Sequence, residues 1–321
     1  IRLIALPTLV TLLVPADRRD KANGLVGMVT GIGFLTTSAI SGFLVAWGGM
    51  VATLAFAIAF SLIAALHLLF VSVDEPRDTS EQNAPRRTDL AGTFRVVRSI
   101  PGLFALILFA AFNNLLGGVF MALMDAYGLS LMKVEQWGLL WAFVSCAFIL
   151  AGMVIARTGL GPNPVRTLLL VNLIIWAVAA VFTIQSSIIL LTVGCFIWLF
   201  LGPYAEAAEQ TTLQKAVPFE RQGRVFGFAQ SVEQAASPLT AFLIAPLTQF
   251  IFVPLMTSGA GGDLIGNWYG RGAERGIAVV FTITGVLGVL ATIAAFRSQS
   301  YRQISASYAT GTPLEEKAAL T

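Results

Sequence analysis

"VPADRRDKANG", from Val14 to Gly24, lies between two apolar runs, and a close variant, "VPFERQGRVFG", lies between two others from Val217 to Gly227. Both copies contain a Val-Pro pair, an acidic residue followed by an arginine, a second basic residue and a closing glycine. In each copy the charged loop ends one apolar run and precedes the next. The repeat predicts that the chain contains two copies of one helical unit, with this loop at the same place in each.

The composition indicates that a lipid bilayer surrounds most of the chain. Hydrophobic residues make up 56% of the 321 residues and charged residues only 12%, whereas charged residues make up about a quarter of ordinary soluble domains. A helix needs about 20 apolar residues to cross a bilayer. Residues 1–13 are apolar but too short to cross, and because the sequence begins with Ile1 we expect an N-terminal truncation within a span. Eight stretches are long enough: 24–46, 50–73, 102–124, 136–156, 167–185, 187–208, 225–250 and 276–296.

Lysines and arginines are concentrated in alternate loops, which predicts the orientation of the chain, because cytoplasmic loops are the richer in these residues. The loops of the poorer set carry only Lys133, Arg271 and Arg275. We therefore expect a cytoplasmic C-terminus. The spread of basic residues over short loops argues against a nucleic-acid partner. The richer set comprises the loops at 14–23, 74–101, 157–166 and 209–224 and the tail after Phe296.

The polar segment 74–101 divides the chain, because its charges, prolines and turn residues are typical of a linker. We expect 1–73 to be the end of an N-terminal bundle, 74–101 a cytoplasmic linker, 102–297 a C-terminal six-helix bundle and 298–321 a cytoplasmic tail. The predicted fold is an all-α membrane protein with about eight full transmembrane helices and part of a ninth. In a protein of two six-helix halves, these are helices 4–12 of twelve.

Glycine-rich sequence marks two further places. Gly27 and Gly31 have the small-xxx-small spacing that allows transmembrane helices to approach closely. The segment 251–276, between the last two spans, is rich in glycine and predicts a long surface loop on the outside. Trp268 and Tyr269 within it suit an anchor at the membrane–water interface.

The repeated loop, "LVPADRRDKANGL" with "GRVFGFAQSVEQAASPL", resembles the major facilitator superfamily and, within it, the bacterial branch that exports drugs and siderophores. The stretch "GMVIARTG", Gly152 to Gly159, resembles the family's glycine-rich cytoplasmic loop, with Ala156 at its usual acidic position. The resemblance implies a major-facilitator-type bundle that transports by alternating access, with Gly152, Arg157 and Gly159 in a cytoplasmic gating loop.

The charged residues of the repeated loops have two interpretations. The first is that they only set the topology. The second is that Asp17 and Glu220 pair with nearby arginines when the two halves close on the cytoplasmic side. Under the second interpretation the gating set comprises Asp17, Arg18, Glu220, Arg221 and Arg224.

Polar residues within the spans predict a substrate and proton pathway, since such residues are costly in a membrane and usually face a cavity. The resemblance places them on helices seven, ten and eleven, which line the central cavity in that family. The alternative is that they form interhelical hydrogen bonds worth about 0.6 kcal/mol each. The set comprises Asn113, Asn114, Asp125, Tyr204, Glu206, Glu209, Gln210, Gln230, Glu233 and Gln234.

Glu206 and Glu233 are the main candidates for proton coupling, and Asp125 is a weaker third. Each glutamate lies nine residues from a basic residue at the same side, which is about 13 Å along a helix. At such depth desolvation favours the neutral acid, which Gln210 and Gln234 could stabilise by hydrogen bonding. The alternative is that both glutamates serve substrate binding only.

We expect a secondary active transporter and not an enzyme, which exports an amphipathic or cationic small molecule of the multidrug type in exchange for protons. A siderophore or other metabolite exporter is the alternative, and a membrane sensor or scaffold is a remote one. The predicted location is the bacterial cytoplasmic membrane, with lipid, protons and substrate as partners of a monomer. One histidine, together with Cys146 and Cys195 inside spans, predicts neither a metal nor another cofactor.

Overall fold

The structure is a computed structural model that describes residues 2–70, 90–217 and 219–310. Most of the predicted linker, Pro218 of the second repeated loop and the end of the predicted tail lie outside this description. The side chains it leaves out within the helices are those of residues 2–4, 38, 39, 41–43, 45, 46, 90, 91, 135, 220 and 307–310.

Regular secondary structure throughout the described residues is helical. The helices are α1 (Arg2–Leu13), α2 (Arg19–Leu68), α3 (Leu90–Ser99), α4 (Leu103–Leu131), α5 (Val134–Thr158), α6 (Pro164–Val181), α7 (Ile188–Ala216), α8 (Phe219–Leu247), α9 (Val253–Thr257), α10 (Ala260–Tyr269), α11 (Ala273–Arg297) and α12 (Gln299–Thr310). A π-helical turn, Thr248–Phe252, joins α8 to α9.

Seven helical stretches among the described residues are long and apolar enough to cross a membrane, and they match seven of the eight predicted spans. The remaining predicted span, 24–46, forms the first part of α2. The prediction of an all-α, multi-pass membrane protein is therefore confirmed. The seven stretches are Trp47–Leu68, Leu103–Leu131, Gln136–Thr158, Pro164–Val181, Ile188–Ala216, Arg221–Thr257 and Ala273–Arg297.

Two predicted spans are joined within α2 at Gly49 instead of through a loop. The backbone of Gly49 has φ 67° and ψ −174°, a conformation open to glycine because it lacks a Cβ. The helix therefore changes direction at this residue without a run of turn residues.

The six spans from α4 to α8 and α11 pack as one bundle. The closest pairs within it are α4 with α8, α6 with α11, and α6 and α5 each with α7. Among the preceding helices, α1 lies against α8, and α2 packs extensively on α5 and also touches α7. In the structure, α1 and α2, which lie before the predicted linker, therefore pack directly on helices that follow it.

The bundle has a hydrophobic cluster at each end. One cluster includes Val97, Leu160 and Ile304, so it draws in α3 and α12 along with the spans. The other includes Tyr127 and Met256. We name the first end the basic end, because the repeated charged loops and the start of α6 lie there, and the second the opposite end.

The prediction of a loop at 251–276 is wrong, because this segment contains the helices α9 and α10. Composition was misleading because several glycines pack closely instead of providing flexibility: a Cβ on Gly261 would lie 2.8 Å from Leu255 Cγ. Gly270, with φ 96°, ends α10. Trp268 is 60% exposed, as an interfacial anchor requires, whereas Tyr269 is buried.

Candidate functional site

Three glutamates lie within the apolar stretches Ile188–Ala216 of α7 and Arg221–Thr257, which begins on α8. Glu206 and Glu209 are three residues apart on α7 and therefore lie on one side of that helix. Glu233, on α8, is only 4% exposed, while Glu209 is half-buried and Glu206 is exposed. Carboxylates within membrane spans are expensive and mark proton or substrate paths, so this trio is the centre of the candidate site.

The structure brings Glu233 together with Glu209 and Gln230. The Gln230 amide Nε2 donates a hydrogen bond of 3.3 Å to Glu233 Oε2. The Glu209 and Glu233 side chains are within hydrogen-bonding reach of each other, and Glu206 interacts electrostatically with Glu209. The other Glu233 oxygen, Oε1, is buried and receives no hydrogen bond from a donor of the described residues.

A proline precedes the acidic stretch of α7. Pro203 lies inside the helix, where proline removes one backbone hydrogen bond and favours a bend. Tyr204 follows it, is half-buried, and packs its ring 5.9 Å from that of Phe200. Of the two glutamines predicted to support the acids, Gln210 is half-buried and Gln234 is exposed. The glutamine that contacts a carboxyl group of this site is Gln230.

The asparagines predicted for the pathway are held by hydrogen bonds within the bundle. Asn113 Nδ2 donates to its own helix at the Phe109 carbonyl, 2.8 Å away. Its Oδ1 accepts from Trp176 Nε1 of α6 at 2.6 Å. Asn114 Nδ2 donates to the Ala110 carbonyl at 3.2 Å. The bond between Trp176 and Asn113 joins two helices, as the packing alternative expects, whereas the other two bonds stay within α4.

Asp125 lies away from the three glutamates, near the opposite end of α4. It is exposed, and its Oδ1 accepts a hydrogen bond of 2.9 Å from Trp137 Nε1 of α5. The structure therefore does not bring Asp125 together with Glu206 and Glu233.

A buried network of neutral side chains joins α1 and α2 to α7 at the basic end. Asn23 Nδ2 donates to Thr211 Oγ1 at 2.9 Å and to Gln214 Oε1 at 3.0 Å. Gln214 Nε2 in turn donates to the Pro7 carbonyl of α1 at 3.0 Å. Gln214 is 2% exposed, so breaking these bonds without replacement leaves buried polar groups unpaired. Gln222 of α8 completes the network by donating to the Gln214 carbonyl at 3.2 Å.

The glycines at this interface allow α2 and α5 to touch. A Cβ on Gly152 of α5 would lie 2.4 Å from the Met28 backbone nitrogen, and one on Gly24 of α2 would lie 2.4 Å from Ile155 Cγ2. A Cβ on Gly31 would lie 3.1 Å from Phe148 Cδ1. The predicted close approach of the glycine-rich helix is therefore present, and its partner is a helix of the later bundle.

An acidic residue of the first repeated loop also bridges this interface. Asp20 Oδ2 accepts a hydrogen bond of 3.0 Å from the backbone nitrogen of Leu160, in the loop after α5. Gly159, the residue before Leu160, has φ 73°, and a Cβ there would overlap the Asp20 carboxylate. Asp17, the predicted gating acid, lies 3.9 Å from Arg18 of its own loop, and both side chains are exposed.

Three further predicted gating residues lie at the surface of the same end. Arg157, Arg221 and Arg224 are exposed, while the side chain of Glu220 lies outside the described residues. Their pairing during a transport cycle stays a prediction.

Arg275 is a buried residue that sequence reasoning counted only as a loop charge. It is 1% exposed, and its Nη2 donates to the carbonyls of Thr183 and Ile184 at 2.8 and 2.9 Å. Its guanidinium carbon lies 4.4 Å from the Tyr269 ring centre. Burial raises the pKa of Tyr269, and a hydrogen bond with Thr282 partly offsets this. Arg275 thus ties α11 to α10 and to the loop after α6 at the opposite end.

Comparison with protein families gives a match over most of the chain. A family model for the Major Facilitator Superfamily matches residues 2–241, a range that includes both repeated loops and all three glutamates. No curated protein matches the chain.

Proposed function

This chain belongs to the Major Facilitator Superfamily, whose members are membrane transporters and not enzymes, and on that premise we propose that it exports an amphipathic or cationic small molecule in exchange for protons. The observation that carries the proposal is the group of carboxyls formed by Glu206, Glu209 and Glu233 on two spans. A carboxyl group at depth can hold a proton in one state and a cationic substrate in another, which is the requirement for exchange.

Alternating access supplies the mechanical step of the proposal. Two helical units rock against each other around a site at membrane depth. The contacts of Asn23 with Gln214, of Asp20 with Leu160 and of Gly152 with Met28 close the basic end in the described conformation. Release of substrate on the opposite side fits this conformation, and the same contacts must separate for uptake at the basic end.

The proposed orientation places the basic end in the cytoplasm, because loops rich in Lys and Arg stay there. The C-terminus is then cytoplasmic, and α9 and α10 face outward. We place the protein in a bacterial cytoplasmic membrane as a monomeric, multidrug-type antiporter. Lipid, protons and one small-molecule substrate are its partners under this proposal. Asp17, Arg18, Glu220, Arg221 and Arg224 remain the proposed set for cytoplasmic gating.

The test uses inverted membrane vesicles from cells that produce the complete protein. Ethidium and tetraphenylphosphonium serve as probes, and their uptake is followed with and without an imposed pH gradient. The proposal predicts uptake that requires both the protein and the gradient, and that stops when nigericin dissipates the gradient. Uptake equal to that of vesicles lacking the protein, for both probes, contradicts export of lipophilic cations.

A further inference from the structure

We infer that Glu209 and Glu233 form a two-carboxyl site that holds a single proton between α7 and α8. In this assignment Glu209, and not Glu206, is the partner of Glu233. The role of the site in transport rests on the proposed function, whereas the shared proton itself rests on the geometry alone.

The first step concerns the hydrogen bonds that Glu233 receives. Gln230 Nε2 donates a hydrogen bond of 3.3 Å to one oxygen of Glu233. This amide is a neutral donor, so it leaves the charge of an ionised carboxyl uncompensated. The second oxygen is buried and has no donor among the described residues. A buried acceptor without a donor is costly. A further donor at Glu233 removes this cost.

The group within reach of Glu233 is another carboxyl. Glu209 approaches it from α7 within hydrogen-bonding distance. Two ionised carboxyls have no proton to place between them and repel each other. One proton converts this contact into an O–H···O⁻ bond, which is among the strong hydrogen bonds because the acceptor is charged. We therefore assign the proton to this contact: either a protonated Glu209 donates to Glu233, or a protonated Glu233 donates to Glu209.

Among the side chains that the structure describes, the charges around the pair do not provide a cation in place of the proton. The helices packed against α8 are α1, α3, α4 and α7. On α7, Glu206 interacts electrostatically with Glu209 and adds negative charge. Lys215 lies six residues from Glu209, which is about 9 Å along the helix. The charged side chains described on α3 and α4 are Arg95, Arg98 and Asp125, and the others on α8 are Arg221 and Arg224. On α2, α5 and α6, which pack against α7, they are Arg19, Asp20, Lys21, Arg157 and Arg166.

A shared proton makes exchange stoichiometric. Releasing the proton leaves two carboxylates in contact, which is unfavourable unless the two helices separate or a cation enters between them. Cation entry and proton release are therefore linked at one place, and Gln230 keeps Glu233 oriented in both states. The carboxyl O–H bond breaks, its proton passes to water as hydronium, and the cation occupies the vacated position.

The test is infrared difference spectroscopy of the complete protein, purified in lipid nanodiscs and titrated in H₂O and D₂O. We expect one carbonyl band of a protonated carboxyl that persists at neutral pH, shifts on deuteration, and is lost in Glu209→Gln and in Glu233→Gln alike. Asp263→Asn, at an exposed acid paired with Arg271, is the matched control and should leave the band unchanged.

Two results overturn the inference. One is that each variant removes a different band, as independent acids require; the other is that the unaltered protein shows no such band at neutral pH. The second result needs no variant, so a misfolded substitution cannot obscure it. The vesicle experiment with ethidium reports separately on efflux: the band without ethidium uptake refutes the proposed substrate class and leaves the shared proton intact.

Discussion

Gly152→Ala should loosen the closure of the basic end, because there is no space for a methyl group between α5 and α2. A Cβ at this position would lie 2.4 Å from the Met28 nitrogen and 2.7 Å from its Cα. These are backbone atoms, so relief requires a shift of the whole helix. Overpacking of this kind costs about 1–3 kcal/mol, which corresponds to a change of about 5–150-fold in the ratio of closed to open molecules.

Gly138→Ala is the matched control on the same helix. A Cβ at Gly138 has open space around it, so this variant gains the helix propensity of alanine, up to about 1 kcal/mol, without the clash. Pulsed electron paramagnetic resonance between spin labels at Lys21 of α2 and Arg166 of α6, both exposed, measures the separation at the basic end. The two native cysteines are first replaced by serine.

The expected result is a longer distance component that grows in Gly152→Ala and stays at the wild-type level in Gly138→Ala. An unchanged distance distribution in Gly152→Ala would refute the reasoning that this crossing closes the basic end. An equal shift in both variants would also refute it, since the common factor is then the alanine and not the contact.

Three further perturbations have defined outcomes. Asn23→Leu leaves the buried Gln214 Oε1 without its donor and should cost about 1–3 kcal/mol of closure; growth of the same long distance component checks this, and its absence shows that the network does not hold the end closed. Arg275→Lys loses paired hydrogen bonds to two carbonyls, worth about 1.5–3 kcal/mol for a charged donor, and should lower the thermal midpoint. The exposed Arg271→Lys should leave that midpoint unchanged, and equal midpoints for both variants would contradict the role given to Arg275. A cysteine at Leu264, which is 79% exposed on α10, should react with a membrane-impermeant thiol reagent from outside intact cells, and labelling from the cytoplasmic side alone would reverse the orientation.

The spans were predictable because each is a long apolar run and charged loops stand out between such runs. The bend at Gly49 was not, since a change of direction within one continuous helix leaves no polar residues in the sequence. The helices at 253–269 were missed for a related reason. Glycine permits both flexibility and close packing, and composition does not distinguish the two.

The candidate site was only partly predictable. Depth along a helix follows from counting residues, and it correctly singled out Glu233 as a buried acid. The neighbour of Glu233 depends on how α7 is rotated, so counting residues selected Glu206, whereas the structure places Glu209 beside Glu233. The bond between Asn23 and Gln214 joins residues 191 positions apart, a pairing that arises only from tertiary packing.

The central claim is that the carboxyl site on α7 and α8 couples protons to export, and Glu233→Gln tests it most directly. The complete protein, reconstituted in liposomes, is assayed for ethidium efflux driven by a pH gradient and for ethidium exchange without a gradient, with Asp263→Asn as control. The account predicts that Glu233→Gln loses driven efflux by at least about tenfold, a barrier change of about 1.4 kcal/mol, while exchange continues. Driven efflux at the control rate in Glu233→Gln would contradict the account.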